Sequence, residues 1–189
     1  MNLEQKPLVI SAQILRLHAQ RYYYSSEPLL GDSDPRFPHA GDKIRARGYV
    51  QRDELHSIAR WKSPRRAKLV KDNPNEVVER VSGLALDLKR TRPDYAVKAL
   101  AILNGVGLPT ASTVLAVADP HDFGIMDIRA WQTLSQRQPK RFPRKENSAF
   151  SGAEFVRYLE TIRELARSSG LTCREVDMAL WQMAGELQV

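Results

Sequence analysis

One stretch near the middle of the sequence constrains the fold most, because prolines and glycines divide it into a helix, a tight turn and a second helix. Pro93 and Pro109 stand where helices can begin, since a proline in the first turn of a helix needs no N–H group. Between them, Gly105 and Gly107 supply the backbone freedom that a short turn requires. The pattern therefore predicts a helix-hairpin-helix over residues 95–118.

The rest of the chain has the same helical character. Apolar residues recur at spacings near 3.6 in stretches that begin near residues 9, 52, 64, 75, 128, 152 and 173. Strand patterns are almost absent, so we expect one all-α domain over residues 1–189 with seven to nine helices. Residues 22–49 are rich in proline and glycine and are expected to form a long loop or arm.

The charge of the chain favours a polyanionic partner. It has 29 Lys and Arg residues against 22 Asp and Glu residues, a formal net charge of +7. Two stretches concentrate cations without any acid: Arg60, Lys62, Arg65, Arg66, Lys68 and Lys71, and then Arg137, Lys140, Arg141, Arg144 and Lys145. These clusters favour nucleic acid as the partner, and solvated faces of the fold are the alternative.

Several classes of protein are excluded or disfavoured. No apolar run approaches the roughly 20 residues of a membrane span, and the first residues lack a secretion signal, so we expect a cytoplasmic protein with no membrane partner. Cys173 stands alone and the four histidines are scattered, so we expect no disulfide, no metal and no cofactor. Nothing in the sequence identifies a protein partner.

The hairpin and the residues after it resemble the helix-hairpin-helix superfamily of DNA glycosylases. In that family the hairpin reads roughly Leu-Pro-Gly-Val-Gly-x-x-Thr-Ala, and an essential aspartate follows. This chain has Leu103-Asn104-Gly105-Val106-Gly107-Leu108-Pro109-Thr110-Ala111, and then Asp127 within Ile125-Met126-Asp127-Ile128-Arg129. The resemblance covers residues 93–135 and implies a multi-helix DNA glycosylase-like fold with the helix-hairpin-helix at its centre.

The resemblance implies a catalytic role for Asp127. This carboxylate would stabilise the positive charge that develops on the sugar of a flipped nucleotide as its base leaves. Members that also cut the strand use a lysine, and its position is taken here by Pro109, 18 residues before Asp127. A monofunctional DNA N-glycosylase is therefore expected. A plain N-cap is the alternative for Asp127, because the residue also precedes a predicted helix.

The predicted DNA contacts come from the hairpin and the first basic cluster. They are Asn104, Gly105, Val106, Gly107 and Thr110, together with Lys62, Arg65 and Arg66. Backbone N–H groups of a glycine turn beside a helix N-terminus can hold a phosphate, which is the reason for the hairpin residues. The sequence leaves two functions open: a base-excision repair enzyme, and a non-catalytic helix-hairpin-helix module that binds double-stranded DNA. The two basic clusters disfavour a third, a protein-binding domain.

Overall fold

The computed structural model describes residues 8, 10–25 and 36–186, and within these residues the chain forms ten α-helices, one 3₁₀ helix and no strand. The first five are α1 (Ala12–Ser25), α2 (Arg36–Arg47), α3 (Arg52–Lys62), α4 (Pro64–Ala67) and α5 (Asn75–Leu88). The others are α6 (Pro93–Leu100), α7 (Leu108–Ala118), α8 (Ile128–Arg137), α9 (Gly152–Ser169) and α10 (Cys173–Glu186). The 3₁₀ helix, Lys68–Asp72, continues directly from α4. The all-α fold class is confirmed.

The helix α2 corrects the expected loop over residues 22–49 and raises the helix count above the nine expected. Gly41 does not interrupt this helix but lets it approach α7, because a Cβ at Gly41 would lie 2.4 Å from the carbonyl oxygen of Val117. The side chain of Arg45, also in α2, donates a hydrogen bond to the carbonyl oxygen of Ala118 at the end of α7 at 3.0 Å. The glycine therefore serves packing between helices, which a local pattern does not reveal. Residues 26–35 lie outside the described part of the chain.

The second helix of the hairpin, α7, passes through the core. Every residue from Thr110 to Ala118 is buried, and α2, α3 and α6 all pack against this helix. Its alanines, valines and small hydroxyl residues are typical of a helix that is enclosed on all sides. The hydroxyls of Ser112 and Thr113 both donate to the carbonyl oxygen of Pro109 at 2.8 Å. Because α7 is enclosed, the position of the turn before it is fixed.

The C-terminal half is built around α10, which packs against α1, α8 and α9. Trp131 in α8 is fully buried, and its ring meets that of Phe142 edge to face with centroids 5.0 Å apart. The indole N–H of Trp131 donates to the carbonyl oxygen of Pro143 at 2.8 Å. These contacts hold the non-helical connection between α8 and α9 against the core.

Throughout the described ranges, every helix is too short or too polar to cross a bilayer.

Candidate nucleic-acid interface and carboxylate site

The turn between α6 and α7 depends on one glycine more than on the other. Gly105 has φ +82°, in the left-handed region that favours glycine, and a Cβ there would lie 2.8 Å from the carbonyl oxygen of Arg66. Gly107 is extended instead, with φ −94° and ψ 173°, and it is the N-cap of α7. The prediction that both glycines supply unusual backbone freedom is therefore wrong for Gly107.

Asn73 holds the turn in place. Its side chain is buried, and its amide donates to the carbonyl oxygens of Val70 at 2.9 Å and Asn104 at 3.0 Å. Its own side-chain oxygen accepts from the N–H of Asn104 at 2.9 Å. The local sequence indicates only that Asn73 ends a helix, because its partner Asn104 lies 31 positions away. Asn73 thus ties the 3₁₀ helix to the hairpin.

The first basic cluster adjoins this turn in space. Over residues 64–72, every residue except Ala67 and Val70 is exposed, and Asp72 is the single acid in that stretch. A Cβ on Gly107 would lie 3.8 Å from a guanidinium nitrogen of Arg66. The exposed cations are Arg65, Arg66, Lys68 and Lys71, and with the turn they form what we call the basic hairpin face.

The predicted contacts within the hairpin differ in exposure. Asn104 is exposed, but Val106 and Thr110 are 3 % and 1 % exposed. The hydroxyl of Thr110 also donates to that of Ser63 at 3.2 Å. A DNA contact at Val106 or Thr110 would therefore have to come from the backbone, since both side chains pack the turn against its neighbours.

Lys62 is less exposed than the cations of the basic hairpin face. Its side chain is 12 % exposed, and its ammonium group forms an ion pair with the carboxylate of Asp127, which is 21 % exposed. Lys62 ends α3 and Asp127 precedes α8, so the two partners are 65 positions apart in the chain. The structure therefore gives Lys62 a carboxylate partner within the protein, whereas Arg65 and Arg66, the DNA contacts predicted together with it, are exposed.

Both carboxylate oxygens of Asp127 have partners. Oδ1 accepts from the backbone N–H of Arg129 at 2.9 Å, which makes Asp127 the N-cap of α8, and Oδ2 accepts from Nζ of Lys62. Burial by itself raises the pKa of this carboxyl, but the charge and hydrogen bond of Lys62, with the N–H of Arg129, outweigh it and the pKa lies below its ordinary value. The group is an ionised carboxylate at neutral pH.

Asp177 anchors the non-helical segment 123–127 that carries Asp127. Asp177 is buried in α10, and its Oδ2 accepts from the N–H of Ile125 at 2.7 Å. Its Oδ1 accepts from the guanidinium of Arg174 at 2.6 Å. Burial raises the pKa of Asp177 to about 6, although Arg174, the Ile125 N–H and Lys62 all act in the opposite direction.

Two hydroxyls complete the anchoring of this segment. The hydroxyl of Tyr158 donates to the carbonyl oxygen of Ile125 at 3.0 Å, and Oγ of Ser112 accepts from the N–H of Met126 at 3.0 Å. Burial raises the pKa of the Tyr158 hydroxyl well above its ordinary value, so this group stays protonated and can donate. The position of Asp127 is therefore set by α7, α9 and α10, none of which contains it.

Half-buried aromatic side chains lie near the ion pair. Trp61 precedes Lys62, and its ring centroid is 5.6 Å from the guanidinium carbon of Arg174. The guanidinium of Arg129 stacks over the ring of Trp181 at 3.7 Å. Flat apolar rings next to cations are suited to a nucleobase, although both tryptophans also pack against their neighbours.

The second basic cluster is partly neutralised by the protein itself. Lys145 pairs with Glu154 at 2.8 Å, and Arg141 lies 3.8 Å from Glu164. Phe142, at the middle of the cluster, is fully buried. The exposed cations of this cluster are Arg137, Lys140 and Arg144. We therefore expect it to attract a polyanion less strongly than the basic hairpin face.

No family model matches the chain, and no curated protein or solved structure is significantly similar to it. In the ranges that the structure describes, no three His, Cys, Asp or Glu side chains are grouped so that they could hold a metal ion. The site thus consists of an anchored, ionised carboxylate, a lysine beside it and the adjoining basic hairpin face.

Proposed function

We propose that this protein binds double-stranded DNA through the basic hairpin face and that Asp127 assists the removal of a base from a flipped nucleotide, as in a monofunctional DNA glycosylase. The observation that carries the proposal is the Asp127–Lys62 ion pair. It brings an ionised, firmly anchored carboxylate to the end of α3. The exposed Arg65 and Arg66 follow Lys62 closely in the sequence.

The binding half of the proposal rests on charge and on helix geometry. Leu108, the first residue of α7, has an N–H group with no acceptor within the helix, and Pro109 after it has no N–H. A phosphate near Gly107 would therefore meet the N–H of Leu108 and the guanidinium of Arg66. Phosphate contacts of this kind do not depend on sequence. The protein should therefore bind duplexes of any sequence, with an affinity that falls as salt rises.

The catalytic half rests on the charge of Asp127. When an N-glycosidic bond breaks, positive charge develops on the sugar, and a fixed carboxylate stabilises it. Water then supplies the oxygen that bonds to C1′, and the departing base takes up a proton. Because Lys62 occupies Oδ2, the sugar reaches the carboxylate only when Lys62 turns away, and a DNA phosphate at the basic hairpin face offers its ammonium another partner.

A non-catalytic DNA-binding module is the second candidate. The observation that favours it is that both oxygens of Asp127 already have structural partners, the N–H of Arg129 and the ammonium of Lys62. In that case the carboxylate only caps α8 and joins it to α3.

Base release distinguishes the two candidates. Duplexes carrying uracil, 8-oxoguanine, alkylated purines or mismatches are incubated with the protein and then cleaved with alkali. We expect release from at least one of them, and a loss of about a hundredfold or more in rate for Asp127→Asn. Release that persists in a folded Asp127→Asn variant removes Asp127 from the mechanism. Binding without release from any lesion favours the second candidate, and no binding at low salt contradicts both.

Borohydride treatment tests whether an amine takes part. We expect no trapped covalent complex, because Pro109 occupies the position of the lyase lysine and has no amine that could attack the sugar. Trapping that disappears in Lys62→Arg, which keeps the charge but not the nucleophilic amine, would instead assign strand-cleaving chemistry to Lys62.

A further inference from the structure

The most exposed large apolar side chain in the described part of the chain stands at the tip of the hairpin. Ile102 is 71 % exposed, whereas Leu103, which follows it, is buried in the core. A second exposed apolar residue, Leu69 at 38 %, lies in the 3₁₀ helix that packs against Gly105. Neither side chain is needed to fill the core.

The backbone that follows Ile102 is held in place by contacts across the turn. The turn is held rigid by the bonds of Asn73 to Asn104 and by the close contact of Gly105 with Arg66. Leu69 stands among the exposed cations of the basic hairpin face, beside Lys68. The chain therefore presents Ile102 from a fixed backbone and Leu69 among exposed positive charges.

Duplex DNA offers both kinds of surface that would complement the basic hairpin face and Ile102, namely negative charge and apolar surface. Its phosphates are negative, and between the phosphate rows its grooves expose apolar sugar and base surfaces that can receive wedge-like side chains such as isoleucine and leucine. An acidic protein would match the charge, but nothing on the basic hairpin face indicates an extended apolar contact of the size that protein interfaces need. The charge complementarity favours the duplex.

We propose that Ile102, assisted by Leu69, is an apolar wedge that enters a groove of bound duplex DNA and unstacks the bases there, while Arg65 and Arg66 hold flanking phosphates. This inference rests on the DNA-binding half of the proposed function and is independent of catalysis at Asp127. It adds to the phosphate contacts a contribution to affinity that does not depend on salt.

The salt dependence of binding separates the wedge from the phosphate contacts. Ile102→Ser should bind a fluorescent duplex about tenfold more weakly at every salt concentration, with an unchanged slope of log K against log salt, because apolar burial releases no counterions. Leu69→Ser should have a smaller effect of the same kind. Arg66→Ala should reduce the slope by about one. Leu84→Ser is the matched control, since Leu84 in α5 is also exposed, at 54 %, and should bind like the parent.

Base unstacking gives a second readout, which phosphate contacts alone would not change. A duplex carrying 2-aminopurine should become more fluorescent when saturated with the parent protein or with Leu84→Ser, but not with Ile102→Ser. The outcomes separate the wedge from the proposed function. If Ile102→Ser matches the parent in affinity and fluorescence, the proposal that Ile102 is a wedge is wrong, while the DNA-binding proposal stands. If the parent does not bind duplex at low salt, the proposed function fails and the wedge with it. If Ile102→Ser changes only the self-association of the protein in sedimentation, the tip contacts protein and the wedge is again wrong.

Discussion

Among single residues, Asp127 combines two roles that a mutation can separate. One oxygen caps α8 and the other pairs with Lys62. An asparagine keeps an acceptor for the cap, because Asn and Asp are similarly good N-caps, but it does not keep the charge. The loss of unfolding free energy in Asp127→Asn therefore measures the contribution of the ion pair to stability.

Asp127→Asn should lower the free energy of unfolding by about 1–3 kcal/mol, because it leaves the largely buried ammonium of Lys62 without a counter-charge. Adding Lys62→Met should recover much of that loss, since the apolar side chain needs no partner. Denaturant unfolding of the parent, both single variants and the double variant measures the coupling. A coupling near zero would mean that the pair does not stabilise the fold.

Among the structural elements, the hairpin shows how two similar glycines can have different functions. Gly105 is required by its backbone conformation and by the closeness of Arg66. Gly107 ends the turn in a conformation that any residue adopts, and a Cβ there would meet only ordinary contacts at 3.8 Å. The two positions therefore form a matched pair for mutation.

Gly105→Ala should destabilise the protein by about 2 kcal/mol or more, because a left-handed conformation costs a side chain roughly 1–2 kcal/mol and the Cβ would also meet backbone atoms. Gly107→Ala should change stability by less than about 1 kcal/mol. Thermal melts of the two variants compare them directly. Equal destabilisation would show that the turn is remodelled when either glycine is replaced.

At the scale of the whole molecule, three helices converge on the segment 123–127. Asp177 from α10, Tyr158 from α9 and Ser112 from α7 each bond to its backbone. The geometry of the candidate site is thus a property of the packed core. The protonation of Asp177 should couple the stability of the core to pH.

Asp177 has a pKa of about 6 in the folded protein, above its ordinary value of 3.8, so between these values the folded state binds more protons than the unfolded state. Its contribution to stability therefore falls as pH rises from about 4 to about 6. The stability of the parent relative to Asp177→Asn should decline over that range, measured by thermal melts at each pH. The pKa values of Asp119, Asp127 and Glu154 are lowered from ordinary values of 3.8, 3.8 and 4.5, so their contributions to stability are lost in the opposite direction, as pH falls below those values. Parallel curves for parent and variant would contradict the assignment.

The sequence by itself determined the features that depend on neighbours along the chain. The bounds of α7, Leu108–Ala118, follow from proline placement and apolar content. The helices α9 and α10 begin near residues 152 and 173 as predicted, and in the structure capping boxes at Ser151 and Thr172 start them. The cap of α8 by Asp127 is of the same kind, because its partner is two residues away. Binding to DNA and base removal remain predictions.

Only the tertiary structure decided which distant residues meet. Three interactions join residues that are far apart in the chain. They are the ion pair of Lys62 with Asp127, 65 positions apart, the hydrogen bonds of Asn73 with Asn104, 31 apart, and the hydrogen bond of Asp177 with Ile125, 52 apart. Periodicity and capping signals are local, so they indicate where helices begin and which face is apolar. They do not specify which helices pack together, and that packing places a lysine rather than solvent beside the carboxylate.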